Sequence, residues 1–141
     1  MDGPPLRLLA FDADDLSVVS MHLQDAVLTA ADLAFLAREQ RFALVCDRFD
    51  WGAADGLACA RRRTGLRFER VRAVRSRDVS QGSETPLQLL ALSFEPGTAP
   101  GGVIELVFAG GAGLRLDVDC IEAAMDDLGA LGPVQPTPNH G

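Results

Sequence analysis

Residues 61–77 read RRRTGLRFERVRAVRSR and hold eight of the chain's thirteen basic side chains. The segment is rich in β-branched and aromatic residues, which favours a strand, yet no single register sorts it. Under strict alternation, Arg67, Glu69, Val71, Ala73, Arg75 and Arg77 share one face. Leu66, Phe68, Arg70, Arg72, Val74 and Ser76 share the other, so neither face is apolar. A shift of one residue after Glu69 repairs the pattern. Leu66 and Phe68 then join Val71 and Ala73, or the apolar side runs Phe68–Val71–Val74 through a short turn. The sequence therefore predicts a bulge or single helical turn at Glu69–Val71. Arg70, Arg72 and Arg75 then point outward, with Arg61, Arg62 and Arg63 at the start of the strand or in the loop before it.

Outward from this segment the chain is mostly strand-like. LRLLAF (6–11) is a short apolar strand, followed by a helix over 12–27. Asp12 is its N-cap, Asp14 and Asp15 suit the dipole of its first turn, and Leu16, Val19, Leu23 and Ala26 or Val27 form its apolar stripe. DLAFLAR (32–38) and RFALVCDRFDW (41–51) form a hairpin, and GAADGLACA (52–60) a loop. LQLLALSFE (87–95), VIELVFA (103–109) and LRLDVD (114–119) are strands, the last two joined by GGAG (110–113). The chain ends with a predicted helix: Asp119 and Glu122 form a capping box, Ile121, Ala124, Met125 and Leu128 one face, and Gly129 the stop. The whole is an α+β chain. Its strongly bent antiparallel sheet or small barrel has about six to seven strands, an N-terminal helix after the first strand and a C-terminal capping helix. Strands followed by one helix resemble the pleckstrin-homology-like barrel at the level of fold. Residues 1–131 read as one domain, and 132–141, with three prolines, as a mobile tail.

Several segments in order, HLQDAVL (22–28), RFALVCDRFDW (41–51), RRRTGLRFERVRAVRSR (61–77) and ELVFAGGAGLRLDVDCIEAAMDDLG (105–129), resemble the bacterial family catalogued as domain of unknown function 2948. The resemblance covers most of the chain except the proline-rich tail. It implies a small bacterial cytoplasmic protein and no particular catalytic or binding residues.

Composition excludes several classes. The three cysteines, Cys46, Cys59 and Cys120, are odd in number and widely spaced, which argues against a disulfide framework or a zinc site and for a reducing cytoplasm. MDGPPLRLLAFDADD at the start does not have a signal-peptide pattern. No uncharged apolar run approaches the ~20 residues of a membrane helix. The chain contains neither Lys nor Tyr, so Arg in place of Lys carries no information about a bidentate site.

Each candidate for chemistry meets a plainer structural reading. His22, near Asp15 and Asp25, lacks enough neighbouring ligands for a metal site, and none is expected. Asp12, Asp14 and Asp15 cap a helix. Cys46, Cys59 and Cys120 have no histidine partner in sequence. FAGGAG (108–113) is followed by a strand and no lysine, so it is a glycine turn and not a phosphate loop. Trp51, in FDW (49–51), is a candidate anchor for a partner or a cover for the end of a sheet.

The charge distribution remains. Eight arginines against one glutamate give 61–77 a charge of +7, and five arginines against nineteen acids give the rest −14. The bend leaves about four or five arginines for any one ligand, a log–log salt slope of roughly −4 for a nucleic acid. Phe68 is the only aromatic among them, too few for base stacking. The expectation is a non-enzymatic binding or assembly module without cofactors, acting through a protein interface, a second copy included. Its candidate binding residues are Arg61, Arg62, Arg63, Arg70, Arg72, Arg75, Arg77 and Trp51. Nucleic acid or a phosphate ligand on the same ridge is the alternative, and an enzyme with a carboxylate or thiol site assembled in space the third.

Overall fold

The computed structural model describes residues 5–50 and 60–133. Ten strands and one helix follow one another as β1 (Arg7–Ala10), α1 (Ala13–Leu23), β2 (Val27–Thr29), β3 (Leu33–Leu36), β4 (Arg41–Asp50), β5 (Ala60–Phe68), β6 (Val71–Arg77), β7 (Pro86–Pro96), β8 (Gly102–Phe108), β9 (Gly113–Val118) and β10 (Ala123–Pro133). All pairings are antiparallel. The sheet order is β1-β10-β5-β4-β2-β7-β8-β9-β6, with β3 added beside β4. Short β2 joins two halves: Val27 faces Asp47 of β4 on one side and Gln88 of β7 on the other.

Alternation places the core. In β4, Phe42, Leu44, Cys46 and Arg48 are buried; in β5, Arg62, Thr64, Leu66 and Phe68; in β8 and β9, Ile104, Leu106, Phe108, Leu114, Leu116 and Val118. The apolar members belong to one continuous cluster that also takes Leu16, Val19 and Leu23 from α1. The sheet thus curls over a single core, with α1 packed on β7, β1 and β4. The curl brings β6, at one end of the path, back beside β3. A hydrogen bond ties the start of β6 to the turn between β3 and β4, from the Val71 amide to the Gln40 carbonyl at 2.8 Å. Beyond it the two edges separate, and among the described residues the sheet does not close.

The bend in 61–77 lies where the pattern placed it. The strand breaks between β5 and β6, Arg70 adopts φ 60°, and a bulge follows between Val71 and Ala73. A non-glycine residue there costs about 1 kcal/mol. The Arg70 carbonyl accepts the Asp119 amide at 3.1 Å and the Glu69 amide donates to the Glu122 carbonyl at 2.8 Å, which fixes the kink against the β9–β10 connection. Phe68 and Val71 are buried, with Val74 packed against the core.

The helix after the first strand forms as expected, with the Asp12 side chain accepting the Asp15 amide at 2.8 Å. It ends at Leu23, and Val27 belongs to β2. The C-terminal helix does not form. Residues 123–133 are β10, paired with both β1 and β5. The strand count rises from about six or seven to ten, and the likeness to the pleckstrin-homology-like barrel loses the helix that carried it. Asp119 and Glu122 cap nothing; they pair with arginines of the kink. β10 runs to Pro133, so residues 132 and 133 belong to the sheet, while the remaining tail lies outside the described residues.

Candidate binding surface

The kink splits the eight arginines of 61–77 into three environments. Arg61, Arg63 and Arg67 lie on the outer face of β5. Arg61 and Arg63 share Asp47, at 3.4 and 3.0 Å, and Arg63 also approaches Asp32 at 3.7 Å. Arg67 pairs with Glu69 at 3.3 Å and Asp126 at 3.8 Å.

Arg62 falls on the inner face and is 2% exposed. It stands opposite Arg48, which is 1% exposed. Between them the fully buried Asp127 carboxylate accepts both Arg48 Nε at 2.8 Å and Arg48 Nη2 at 2.7 Å, a bidentate pair. The same carboxylate accepts the Thr64 hydroxyl at 2.9 Å and the Leu6 amide at 2.8 Å, and Arg62 Nε lies 3.9 Å away. Burial alone would raise the Asp127 carboxyl, but the hydrogen bonds from Arg48, the Leu6 amide and Thr64, with the Arg48 charge, hold it below the usual carboxylate range. This cluster fastens β4, β5 and β10 from inside, so Arg62 is not part of a surface.

Arg70, Arg72, Arg75 and Arg77 are exposed along β6 and the kink before it. Each of the first three meets an acid one strand inward or beyond the kink: Arg70 meets Glu122 at 3.4 Å, Arg72 meets Asp119 at 3.1 Å and Arg75 meets Asp117 at 3.1 Å. Among the described residues Arg77 has no ion pair. The ridge is therefore a mixed-charge lattice with a basic row at the sheet edge. Trp51 lies outside the described residues.

Next to that row is the opening between β6 and β3. It is a groove of about 170 Å³ whose apolar walls include Leu33, Phe35, Phe42, Val74, Val79 and Leu114. Phe35 and, just beyond, Leu36 remain 37% and 42% exposed. The sequence reads 32–38 as a hairpin strand, but nothing in it pairs that strand with residues 74–79.

Other candidates stay apart. Asp25 accepts a hydrogen bond from Gln88 Nε2 at 2.9 Å, and His22 is half-buried on α1. Among the described residues no three His, Cys, Asp or Glu side chains are grouped to hold a metal. Cys46 is buried, and burial first, then the Asp47 charge, pushes its thiol up to about 12, so it is not a nucleophile at neutral pH. Cys120 borders a shallow cleft with Arg70, Asp119 and Glu122, whose carboxylates pair with arginines. Cys59 lies outside the described residues. Within FAGGAG, Ala109–Gly111 make a tight turn in which Gly110 and Gly111 take φ 82° and 90°. No helix among the described residues is long and apolar enough to cross a membrane.

Residues 6–140 match the family model described as protein of unknown function (DUF2948), and the chain belongs to that family. No curated protein and no solved structure matches it.

Proposed function

We propose that this family member is a non-enzymatic binding module that takes an extended, acidic segment of another protein into the seam between β3 and β6. The seam carries the reading: two unpaired strand edges flank an apolar groove. Unpaired edges present rows of backbone donors and acceptors, and adding a strand is a common way of recognising an extended chain. Apolar side chains of the segment would face Phe35, Val74 and Leu114. Its acids would face Arg70, Arg72, Arg75 and Arg77, whose charges steer and align a complementary partner. A second copy docking edge to edge through β6 fits less well. An antiparallel register centred on Arg75 or Ser76 sets arginine against arginine, and like charges directly opposite are destabilising.

Nucleic acid or a phosphate ligand on the same ridge is disfavoured because it would depend on charge alone, and ion pairs already occupy most of these guanidinium groups, whereas an extended segment also gains backbone hydrogen bonds and apolar contacts along the seam. The bacterial cytoplasm is the proposed setting, since the free thiols of Cys46 and Cys120 suit a reducing compartment. Affinity capture from lysate, with light scattering of the purified chain, tests the proposal. A specific protein should be retained by the wild type and lost with Phe35→Asp and with Arg72→Glu/Arg75→Glu. Retention by all three proteins, or no retained protein, counts against it.

A further inference from the structure

We infer that a notch on the outer face of β6, β9 and β8 binds a small organic monocarboxylate. This goes beyond the seam reading, because a small molecule there needs no protein partner.

The notch follows from one missing side chain. Antiparallel pairing sets Arg77, Gly113 and Val107 in one row across the three strands, and Arg75, Arg115 and Glu105 in the next. In the first row Gly113 contributes no side chain between a long arginine and a valine. The result is a cavity of about 280 Å³, walled by Arg75, Arg77, Arg115 and Glu105 and floored by Val107 and Gly113. That volume lies at the lower end of small-molecule clefts, ~300 Å³ and upward. A glycine with pairing on both sides is a position where a ligand can approach backbone closely.

Charge selects the ligand. Arg75 and Arg115 face each other directly across β6 and β9, an unfavourable juxtaposition. Acids of the chain answer both: Asp117 holds Arg75 at 3.1 Å, and Glu95 and Glu105 hold Arg115 at 2.9 and 3.3 Å. Arg77 is the wall residue left without an ion pair among the described residues. One uncompensated guanidinium matches one carboxylate, which it can engage with two parallel N–H donors. A doubly charged anion would meet Glu105 without a second free cation. Val107 and the Gly113 backbone offer the apolar part of the ligand a surface.

Amide NMR titration at neutral pH and low salt tests this, with benzoate as probe, benzamide as its neutral isostere and inorganic phosphate as the competing anion. Benzoate should shift the amides of Gly113, Val107 and Arg77 saturably, and benzamide should not. Arg77→Gln, on an exposed edge, and Gly113→Val, which fills the notch, should each weaken benzoate by about tenfold or more. A Cβ at Gly113 would meet the Leu106 carbonyl oxygen at 3.1 Å, so if Gly113→Val fails to fold, Arg77→Gln decides alone. Absence of shifts, equal shifts with benzamide, tighter binding of phosphate, or benzoate binding unchanged in a folded variant overturns the inference.

Discussion

Asp127 is the side chain on which three strands converge. Its carboxylate is fully buried and holds Arg48 in a bidentate pair, with Thr64 and the Leu6 amide as further donors. Removing one partner of a buried pair leaves the other charge uncompensated, which typically costs ~3–5 kcal/mol. Asp127→Ala should therefore lower the urea midpoint by that equivalent. Asp127→Leu combined with Arg48→Met should recover part of the loss, since replacing both partners by apolar groups is the milder change. The pH dependence has a definite sign. The folded carboxyl lies below its unfolded value, so its stabilisation is complete above the ordinary carboxylate range near ~3.9. It disappears as pH falls through the lower folded value. Urea midpoints measured downward from neutral pH should fall across that acid window in the wild type, and less steeply in Asp127→Asn. Parallel curves for the two proteins would show that Asp127 does not contribute to the acid limb.

At the scale of elements, this same residue explains why β10 reads as a helix. Its inward positions are Ala123, Met125 and Asp127, a period of two whose last member is an acid. A charged inner residue hides the alternation, while Ile121, Ala124, Met125 and Leu128 mimic a helical stripe behind an apparent capping box. Donors remote in sequence make Asp127 acceptable inside, Arg48 79 residues away with Thr64 and the Leu6 amide, and no local pattern announces them. Arg62 has the same history: the sequence left it at the start of the strand or in the loop before it, and its inward direction was not legible because arginine on the core face contradicts the binary pattern. Where inner residues are apolar, as in β8, β9, the first half of β4 and the kinked stretch from Leu66 to Val74, the sequence suffices. A second element-scale prediction concerns the start of β8. A Cβ on Gly102 would collide with the Glu95 carbonyl oxygen and lie 2.6 Å from the Phe94 ring, whereas one on Gly129 of β10 meets nothing within 4 Å. Gly102→Ala should therefore destabilise by ~1–3 kcal/mol. Gly129→Ala should stay within ~0.5 kcal/mol of wild type in thermal melts. Equal melting temperatures for the two variants would refute the packing argument for Gly102.

For the whole molecule, the question is what a +7 segment does inside a chain of net charge −7. Among the described residues, seven of its eight arginines are ion-paired with the chain's own acids, Arg62 within the core and the others on the surface. The sequence displayed the asymmetry but not its resolution, because every pairing acid except Glu69, the local partner of Arg67, comes from another strand or connection that the sheet brings alongside. Asp47 comes from β4, Asp117 from β9, Asp119 and Glu122 from the β9–β10 connection, and Asp126 from β10. Such exposed pairs add little stability, ~0–1 kcal/mol each, but they cancel the local field that a phosphate backbone would need. A polyanion would have to displace carboxylates while approaching a negatively charged molecule, and screening over about 8 Å confines any attraction to direct contact. Fluorescence-anisotropy titrations with a single-stranded RNA and a duplex DNA at physiological salt should therefore show affinities at the weak end of non-specific binding, on the order of 10⁻⁴ M. Neutralising the acidic side should reverse this: Asp117→Asn/Asp119→Asn frees Arg75 and Arg72 and should strengthen binding, with a steeper salt dependence. Micromolar binding by the wild type with a log–log slope near −4 would mean that the internal pairs yield to phosphate, and the surface would then have to be read as a nucleic-acid ridge.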